Sequence, residues 1–314
     1  MKINYLEYGD KSAPVIIFIH GGGVSGWMWD QQVAYFSSYH CIVPDLPEHG
    51  RADNNEPFSI RTSAENLISL IKEKANGKKV YVIGFSLGAQ VLIQMLSIKP
   101  DLVEAAIINS ALVRPNRAMT MWMTPLIKLS YPLIKWRSFS KLQARTLYIS
   151  DSYFEKYYKE SRQIKRETLL RVLMENMSFP IPDTFCKVRA RILITVGQKE
   201  NNMMKKSAID LVKANPNCTG IVLENAGHGV SLANPVFFNN LAESWLEKNS
   251  LPDAKGRFKE IMQLFHKNME QAVRKMMHNG QKPKRLHFYS FCYIIRANVP
   301  VCPSHKCAYP HKIN

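Results

Sequence analysis

Residues 79–90 form an apolar run that ends in Gly-x-Ser-x-Gly and passes directly into a helical pattern. The run before the motif is typical of a buried strand, and apolar residues recur at helical spacing over 91–98. A strand that turns abruptly into a helix needs small residues on both sides of the turn, which Gly84 and Gly88 supply. Such a turn lifts the Ser86 hydroxyl out of the sheet, so we interpret Ser86 as a nucleophile. The alternative is a glycine-serine turn without chemistry.

Strand and helix patterns alternate over residues 1–113. Uninterrupted apolar runs are typical of strands covered on both faces, and helical periodicity separates them. The alternation returns in residues 184–250. Residues 1–9 suggest short opening strands, and the later strand-like runs lie at 13–20, 41–46, 80–83, 103–109, 191–200 and 219–225. The sequence therefore predicts an α/β fold with a mostly parallel sheet and helices on both faces, built from 1–113 and 184–250.

Residues 114–183 interrupt this alternation, because they contain no convincing strand. They are rich in methionine, aromatic and basic residues, and five prolines punctuate their helical patterns. Adaptable methionine and flat aromatic side chains suit the roof of an apolar pocket, although ordinary packing of helices on the sheet explains part of this composition. We predict an inserted helical lid over 114–183.

Three polar residues follow predicted strands at the edge of the sheet where such folds bind ligands: Ser86, Glu200 and His228. Serine needs a base to become a good nucleophile, and imidazole can take and return a proton near neutral pH. The imidazole in turn needs a carboxylate that fixes its tautomer. We predict that Glu200 is this acid, with Asp210 and Asp183 as alternatives.

These motifs resemble the α/β-hydrolase family over about residues 1–250. The stretches that carry the resemblance are His20-Gly21-Gly22-Gly23, Asp45-Leu46-Pro47-Glu48-His49-Gly50-Arg51, Gly84-Phe85-Ser86-Leu87-Gly88, Gly197-Gln198-Lys199-Glu200 and Gly227-His228. The resemblance implies an eight-stranded type of sheet, with Ser86 as nucleophile and His228 as general base. It also implies an oxyanion hole made by the backbone N–H groups of Leu87 and Gly22, with Gly23 as an alternative to Gly22. His20 and His49 lie in loops that the family uses for structure.

Two residues depart from the family pattern. Relatives usually carry Asp where this chain has Glu200, so the carboxylate reaches towards His228 with one more methylene. Relatives also carry Gly where this chain has Glu48, which would be strained if that turn needs a positive φ. The second departure lies in a structural loop, so we expect it to leave the chemistry untouched.

The resemblance and the serine nucleophile imply acyl transfer to water, because family members with Asp at this position form alkyl esters instead. We predict a serine hydrolase of an ester, lactone or similar small apolar acyl compound. Two alternatives remain open: carbon–carbon bond hydrolysis or cofactor-free perhydrolysis by the same residues, or a non-catalytic ligand-binding protein. The chemistry requires no metal and no organic cofactor.

The positive charge concentrates in the last part of the chain. Of the net charge of +17, residues 251–314 supply +9, from 12 Lys/Arg and 3 Asp/Glu. We predict an amphipathic helix over about 255–279, which could dock on the body, bind a partner or make weak contact with an acidic membrane surface. The cysteines and histidines beyond Gly280 match no zinc spacing, and we expect no nucleic-acid binding.

The sequence favours a cytoplasmic location. Residues 1–10 lack the apolar core of a signal peptide, and no apolar run has the length of a membrane span, so we expect no integral membrane association. The six cysteines are scattered and do not resemble a disulfide framework, which fits a reducing compartment.

Overall fold

An eight-stranded sheet forms the centre of the protein in the computed structural model, which describes residues 3–52, 56–115, 117–248, 250–252 and 258–261. The strand order is β1-β3-β2-β4-β5-β6-β7-β8, and only the two edge strands are antiparallel to their neighbours. The strands are β1 (Asn4–Tyr8), β2 (Val15–Ile19), β3 (His40–Asp45), β4 (Val80–Phe85), β5 (Ala105–Asn109), β6 (Arg191–Gly197), β7 (Cys218–Leu223) and β8 (Phe258–Glu260).

Helices cover both faces of this sheet. Parallel neighbours need crossover connections, and helices provide them because an amphipathic helix can bury its apolar side on the sheet. The helices are α1 (Asp30–Tyr35), α2 (Ile60–Ala75), α3 (Leu87–Ile98), α4 (Arg117–Ser130), α5 (Arg137–Thr146), α6 (Asp151–Gln163), α7 (Arg166–Ser178), α8 (Asn202–Ala214), α9 (Val230–Ala233) and α10 (Pro235–Lys248). One apolar cluster joins α2, α3 and α8 to the sheet, and a second joins the segment around α1 and α10 to the opposite face. The predicted α/β fold is confirmed.

The register of the parallel strands brings their carboxyl ends to one edge. Phe85 pairs with Asn109, Asn109 with Thr195, and Gly197 with Leu223. All residues of β2, β4 and β5 are buried, which explains why these strands appear in the sequence as continuous apolar runs. The loops that follow β4, β6 and β7 therefore lie close together, and each contains one of the predicted site residues.

Helices α4 to α7 form one inserted segment between β5 and β6, which we call the insertion (residues 114–183). Side chains from both sides attach it to the sheet core. The Gln90 side-chain amide donates to the Asn176 carbonyl and accepts from the Asn176 side chain. Glu160 of α6 accepts hydrogen bonds from Trp27 Nε1 at 2.8 Å and from Ser25 Oγ at 2.9 Å.

Glu48 makes the corresponding attachment from the core to α7. Its carboxylate accepts from Thr168 Oγ1 at 2.7 Å and from the Phe58 backbone N–H at 2.8 Å, and it pairs with Arg171 at 2.5 Å. Its φ is 61°, the left-handed region that favours glycine. The backbone at this position is thus strained, as the sequence suggested, and the side chain holds the insertion.

The end of the described chain differs from the sequence prediction of a helix beginning near residue 255. Phe258–Glu260 are strand β8, antiparallel to residues 221–223 of β7. Pairing satisfies the open edge of β7, and the buried Ile261 side chain packs over Gly220, where a Cβ would lie 2.4 Å from Ile261 Cγ2. The core therefore extends past residue 250. The remainder of the predicted helix, and the late cysteines and histidines, lie outside the described residues.

The described cysteines only partly follow the expectation of reduced thiols. Cys41 and Cys218 are buried and free, whereas Cys186 is disulfide-bonded. Among the residues that the structure describes, no helix has the length and apolar character that crossing a membrane requires. The cytoplasmic location stays a prediction.

Candidate active site

Ser86 lies at a sharp turn between β4 and α3. Its φ is 52° and its ψ is −112°, a conformation that a non-glycine residue adopts only under constraint from its surroundings. A Cβ on Gly84 would lie 2.6 Å from the Gly88 carbonyl oxygen, and one on Gly88 would lie 2.4 Å from the Ile19 carbonyl oxygen. Both glycines are therefore required for the close passage of strand and helix.

His228 joins Ser86 to Glu200 by two hydrogen-bond contacts. His228 Nε2 lies 2.9 Å from Ser86 Oγ, and His228 Nδ1 lies 2.8 Å from Glu200 Oε2. The three residues come from loops after β4, β6 and β7, so the parallel register brings them together from positions up to 142 residues apart. With the Nδ1 proton directed at the carboxylate, Nε2 is left to accept a proton from the serine hydroxyl.

Both oxygens of the Glu200 carboxylate take part in hydrogen bonds. Oε1 accepts from the Ser110 hydroxyl at 2.7 Å and from the Gly197 backbone N–H at 2.8 Å. Burial raises the pKa of Glu200, but the hydrogen bond and charge of His228, together with these two donors, outweigh burial and leave the pKa below its ordinary value. The additional methylene of glutamate is thus accommodated, and the group is held ionised.

Ser110 was missed by the sequence analysis. It follows β5 directly, its side chain is buried, and its φ is 56°. The available signal was its position at the carboxyl end of a buried strand between the strands that lead to Ser86 and Glu200. A polar residue at that place lies at the same edge of the sheet as the other two.

The glycine loop after β2 lies beside Ser86. A Cβ on Gly21 would lie 3.5 Å from Ser86 Cβ, and one on Gly22 would lie 3.5 Å from Leu87 Cδ2. Gly23 has a φ of 75°, which favours glycine. Leu87 is the first residue of α3, where the backbone N–H has no acceptor within the helix. The glycine loop and the start of α3 thus both lie beside Ser86.

The other histidines of the motifs have structural contacts. His20 is fully buried, accepts from the Leu46 N–H at Nε2 and contacts the Gly21 carbonyl at Nδ1, and burial lowers its pKa. Burial also lowers the pKa of His49 to about 4, and its Nδ1 lies 2.9 Å from the Pro47 carbonyl oxygen. Both rings therefore stay neutral and fix the loops around the site.

The alternative acids do not take the place of Glu200. Asp210 binds Arg114 with both carboxylate oxygens, at 2.6 and 2.9 Å. Asp183 begins a short 3₁₀ helix, Asp183–Lys187, at the end of the insertion. Of the three carboxylates considered, the structure brings only Glu200 to His228.

A cavity of about 460 Å³ opens onto Ser86 beneath the insertion. Its lining is mostly apolar, and it includes Gly22, Gly23, Ser86 and Leu87 on the core side. The insertion contributes Ile127, Ile134, Phe139, Leu147, Tyr157, Ile164, Leu169, Val172 and Leu173, together with a few polar residues. Hydroxyls of Ser130, Thr146 and Ser161 donate to carbonyls of their own helices, so they offer the cavity little polarity.

Comparison with known proteins agrees with this architecture. A family model described as the alpha/beta hydrolase family matches residues 16–241. A (E)-2-((N-methylformamido)methylene)succinate hydrolase of Acinetobacter baylyi is 24% identical over 258 residues, 78% of this chain and 94% of that protein. An esterase of Mycobacterium tuberculosis is 36% identical over 105 residues, which cover 32% of this chain and about a third (34%) of that protein.

Solved structures show the same fold. A thermophilic esterase from Thermogutta terrifontis superposes with a TM-score of 0.63 at 16% identity, covering 78% of this chain and 93% of that one. Because the family model spans most of the chain and the sheet topology agrees, the resemblance noted in the sequence is confirmed. This chain belongs to the alpha/beta hydrolase family of enzymes.

Proposed function

We propose that this enzyme is a serine hydrolase that cleaves an ester, a lactone or a similar small apolar acyl compound. In this proposal Ser86 is the nucleophile, His228 the general base, and Glu200 the carboxylate that orients His228. One observation carries the proposal, a chain of two hydrogen bonds. Ser86 Oγ lies 2.9 Å from His228 Nε2, and His228 Nδ1 lies 2.8 Å from Glu200 Oε2.

The reaction would proceed through an acyl-enzyme. Ser86 Oγ forms a bond to the acyl carbon while its proton moves to His228 Nε2, and Glu200 stabilises the resulting imidazolium. The N–H groups of Leu87 and Gly22, with Gly23 as the alternative second donor, bind the oxyanion. The bond to the leaving oxygen then breaks as that oxygen takes the proton from His228. Water repeats the sequence on the acyl-serine and releases the acid.

The cavity beneath the insertion is suited to the acyl side of the substrate. A leaving oxygen must come within hydrogen-bond reach of His228 Nε2, and the His228 side chain is 30% exposed and does not line the cavity. The cavity instead borders Ser86, Leu87 and the glycine loop. We therefore assign the apolar acyl group to the cavity, and the insertion acts as the lid over it.

A fluorophosphonate probe tests the nucleophile directly. The wild-type protein should be labelled at Ser86 and should hydrolyse nitrophenyl esters, whereas Ser86→Ala should do neither. Because Ser97 is a buried serine of the same α3 region whose hydroxyl donates to Ile93, Ser97→Ala is a matched control that should retain labelling. A folded wild-type protein without labelling or ester turnover would refute the proposal.

The same variants separate the alternatives. A carbon–carbon bond hydrolase would be labelled at Ser86 but would hydrolyse simple esters poorly, and it would turn over a diketone. A non-catalytic binding protein would show neither labelling nor turnover while still binding an apolar acyl compound.

A further inference from the structure

The insertion exposes an unusual number of large apolar side chains. Among the described residues, six of the eleven large apolar side chains that are exposed lie between positions 121 and 142. They are Met121, Trp122, Leu126, Leu129, Trp136 and Leu142. Exposed apolar residues scattered singly need no explanation, but a concentration on one segment marks a surface that binds something.

Three of these residues form a stripe along α4. Trp122, Leu126 and Leu129 follow one another at steps of four and three, so they lie on one side of the helix, and they are 68%, 54% and 81% exposed. Met123 and Ile127 point to the other side and are buried, and Ile127 lines the cavity above Ser86. Helix α4 is thus apolar on both sides, one towards the cavity and one towards the outside.

All charged residues of the segment that carries the stripe are basic. Between Glu104 and Asp151 the sequence has no Asp or Glu, while it contains Arg114, Arg117, Lys128, Lys135, Arg137, Lys141 and Arg145. Arg137 pairs with Glu155, and Lys141 lies 3.7 Å from Asp151. Lys128 and Arg145 are exposed and have no ion pair with the residues that the structure describes. Tryptophan and leucine beside unpaired basic groups are typical of helices that lie in the interface of an anionic membrane.

We propose that the stripe of α4 and the exposed Trp136, which follows α4 in the chain, act as one face that binds the surface of a lipid bilayer containing anionic lipids. The tryptophans and leucines enter the headgroup region, and the neighbouring lysines and arginines contact lipid phosphates. Because Ile127 on the opposite side of α4 lines the cavity, bilayer contact places the cavity next to a source of apolar acyl compounds. Binding itself requires no catalysis and is independent of the proposed hydrolase activity.

Charge favours an anionic bilayer over the two other partners that could cover the face, a second copy of the chain and residues 251–314. Two copies of the face would bring like charges together in a symmetric contact, which disfavours a dimer through this surface. The segment 251–314 carries a net charge of +9 and would be repelled in the same way. An anionic bilayer is the partner whose charge complements the face.

Tryptophan fluorescence of the full chain offers a selective test. Of the five tryptophans, Trp27, Trp29 and Trp245 are buried, so a blue shift on addition of vesicles reports Trp122 and Trp136. We expect co-sedimentation and a blue shift with equimolar phosphatidylcholine and phosphatidylglycerol, and much weaker binding to phosphatidylcholine alone. Ser86→Ala should bind as the wild type does, so this result and the labelling test of the hydrolase can fail separately.

Matched variants locate the surface. Trp122→Gln and Leu129→Gln should each weaken vesicle binding about tenfold, because each removes one apolar side chain that the bilayer would bury. Val236→Gln, at a residue 69% exposed on α10, should leave binding unchanged. Lys128→Glu changes the charge by two units and should weaken binding about 25-fold, since each charge contributes about fivefold to affinity. Lys206→Glu on the exposed side of α8 should have a much smaller effect.

Three results would overturn the proposal. One is a wild-type protein that does not bind the anionic vesicles. Another is binding without a tryptophan shift and with equal affinity in all variants, which would place the contact away from this face, as on residues 251–314, which contain no tryptophan. The third is a concentration-dependent dimer in buffer that Trp122→Gln dissociates, which would make the face an interface between two copies.

Discussion

The sheet core and the insertion use their charged side chains in different ways. In the core, the carboxylate of Glu200 is buried, accepts three hydrogen bonds and is fixed within 2.8 Å of His228. In the insertion, most charged groups face solvent, and two carboxylates connect its helices to the core, Glu160 from the insertion and Glu48 from the core. In the proposed function, the core therefore fixes the reacting atoms, whereas the insertion covers them. Changes in the core should alter turnover, and changes at the attachments should alter stability.

The largest effect is expected for Glu200→Gln. The amide keeps the size of the side chain but places an N–H₂ group or a neutral oxygen opposite His228 Nδ1, so the imidazolium loses its stabilising charge. We expect kcat for a nitrophenyl ester to fall by about 10⁴-fold with little change in KM. Steady-state kinetics with a nitrophenyl ester would check this, with temperatures of unfolding measured in parallel.

Glu200→Asp is the matched control for that loss. It retains the charge but shortens the reach to His228 by one methylene, so it should keep far more activity than the glutamine variant. Near-normal kcat in Glu200→Gln would show that the carboxylate does not orient His228, and the distinction between a chemical core and a covering insertion would lose its main support.

A smaller effect on the same group is expected for Ser110→Ala. The Ser110 hydroxyl donates to Glu200 Oε1 at 2.7 Å, opposite the oxygen that contacts His228. Loss of one hydrogen bond to a charged acceptor costs about 1.5–3 kcal/mol, so kcat should fall about 10- to 100-fold. Ser110→Thr keeps the hydroxyl and should recover part of the activity if space permits. Equal activity in Ser110→Ala and wild type would mean that the Gly197 N–H alone holds the carboxylate.

Much of the core could be predicted from sequence because its signals are local. Strands buried on both faces require continuous apolar runs, and the chain order places Ser86, Glu200 and His228 after such runs. Ser110 follows the same rule and was open to the same prediction. Strand β8 was not, because its three residues take their conformation from the edge of β7 and the burial of Ile261 rather than from their own periodicity.

The insertion was less predictable, for a physical reason that its helices make clear. Apolar residues cover a wide arc of helix α4, so its sequence does not tell which part of that arc faces the cavity and which part faces outwards. Its attachments join residues far apart in the chain: Glu160 and Trp27 are 133 positions apart, and Glu48 and Arg171 are 123 positions apart. No local sequence pattern predicts such pairs, because they form only in the folded structure.

Variants of Glu48 separate the cost of its strained backbone from the contribution of its side-chain contacts to stability. Both Glu48→Gly and Glu48→Ala lose the contacts with Phe58, Thr168 and Arg171, but only glycine relieves the φ of 61°. Both variants should be less stable than wild type in urea unfolding, and the glycine variant should be more stable than the alanine variant by about 1 kcal/mol. Asn76→Gly and Asn76→Ala, at a φ of 45° after α2, calibrate the backbone part of that difference. A glycine variant as stable as wild type would mean that these contacts contribute no more than the backbone strain that glycine relieves, and one more stable than wild type by about 1 kcal/mol would mean that they contribute nothing.

The smallest effect concerns the pH dependence of the attachment through Glu160. Burial raises the pKa of this carboxyl, and the hydrogen bonds from Trp27 and Ser25 only partly oppose the rise. A raised pKa in the folded state means that the folded protein binds this proton more tightly than the unfolded chain, so stability falls as pH rises through the interval between the two pKa values. Glutamine stays neutral throughout, and its amide can keep a contact with each donor because the serine hydroxyl can reverse. The melting temperature of Glu160→Gln relative to wild type should therefore rise between acidic and neutral pH, by a few degrees at most.

Glu155 on the same helix should show a pH dependence of the opposite sign, because Arg137 lowers the pKa of its carboxyl. Glu155→Gln should lose stability relative to wild type as pH rises over the range in which the carboxylate ionises. If both variants change in the same direction, the pH dependence does not come from the burial of Glu160 against the core.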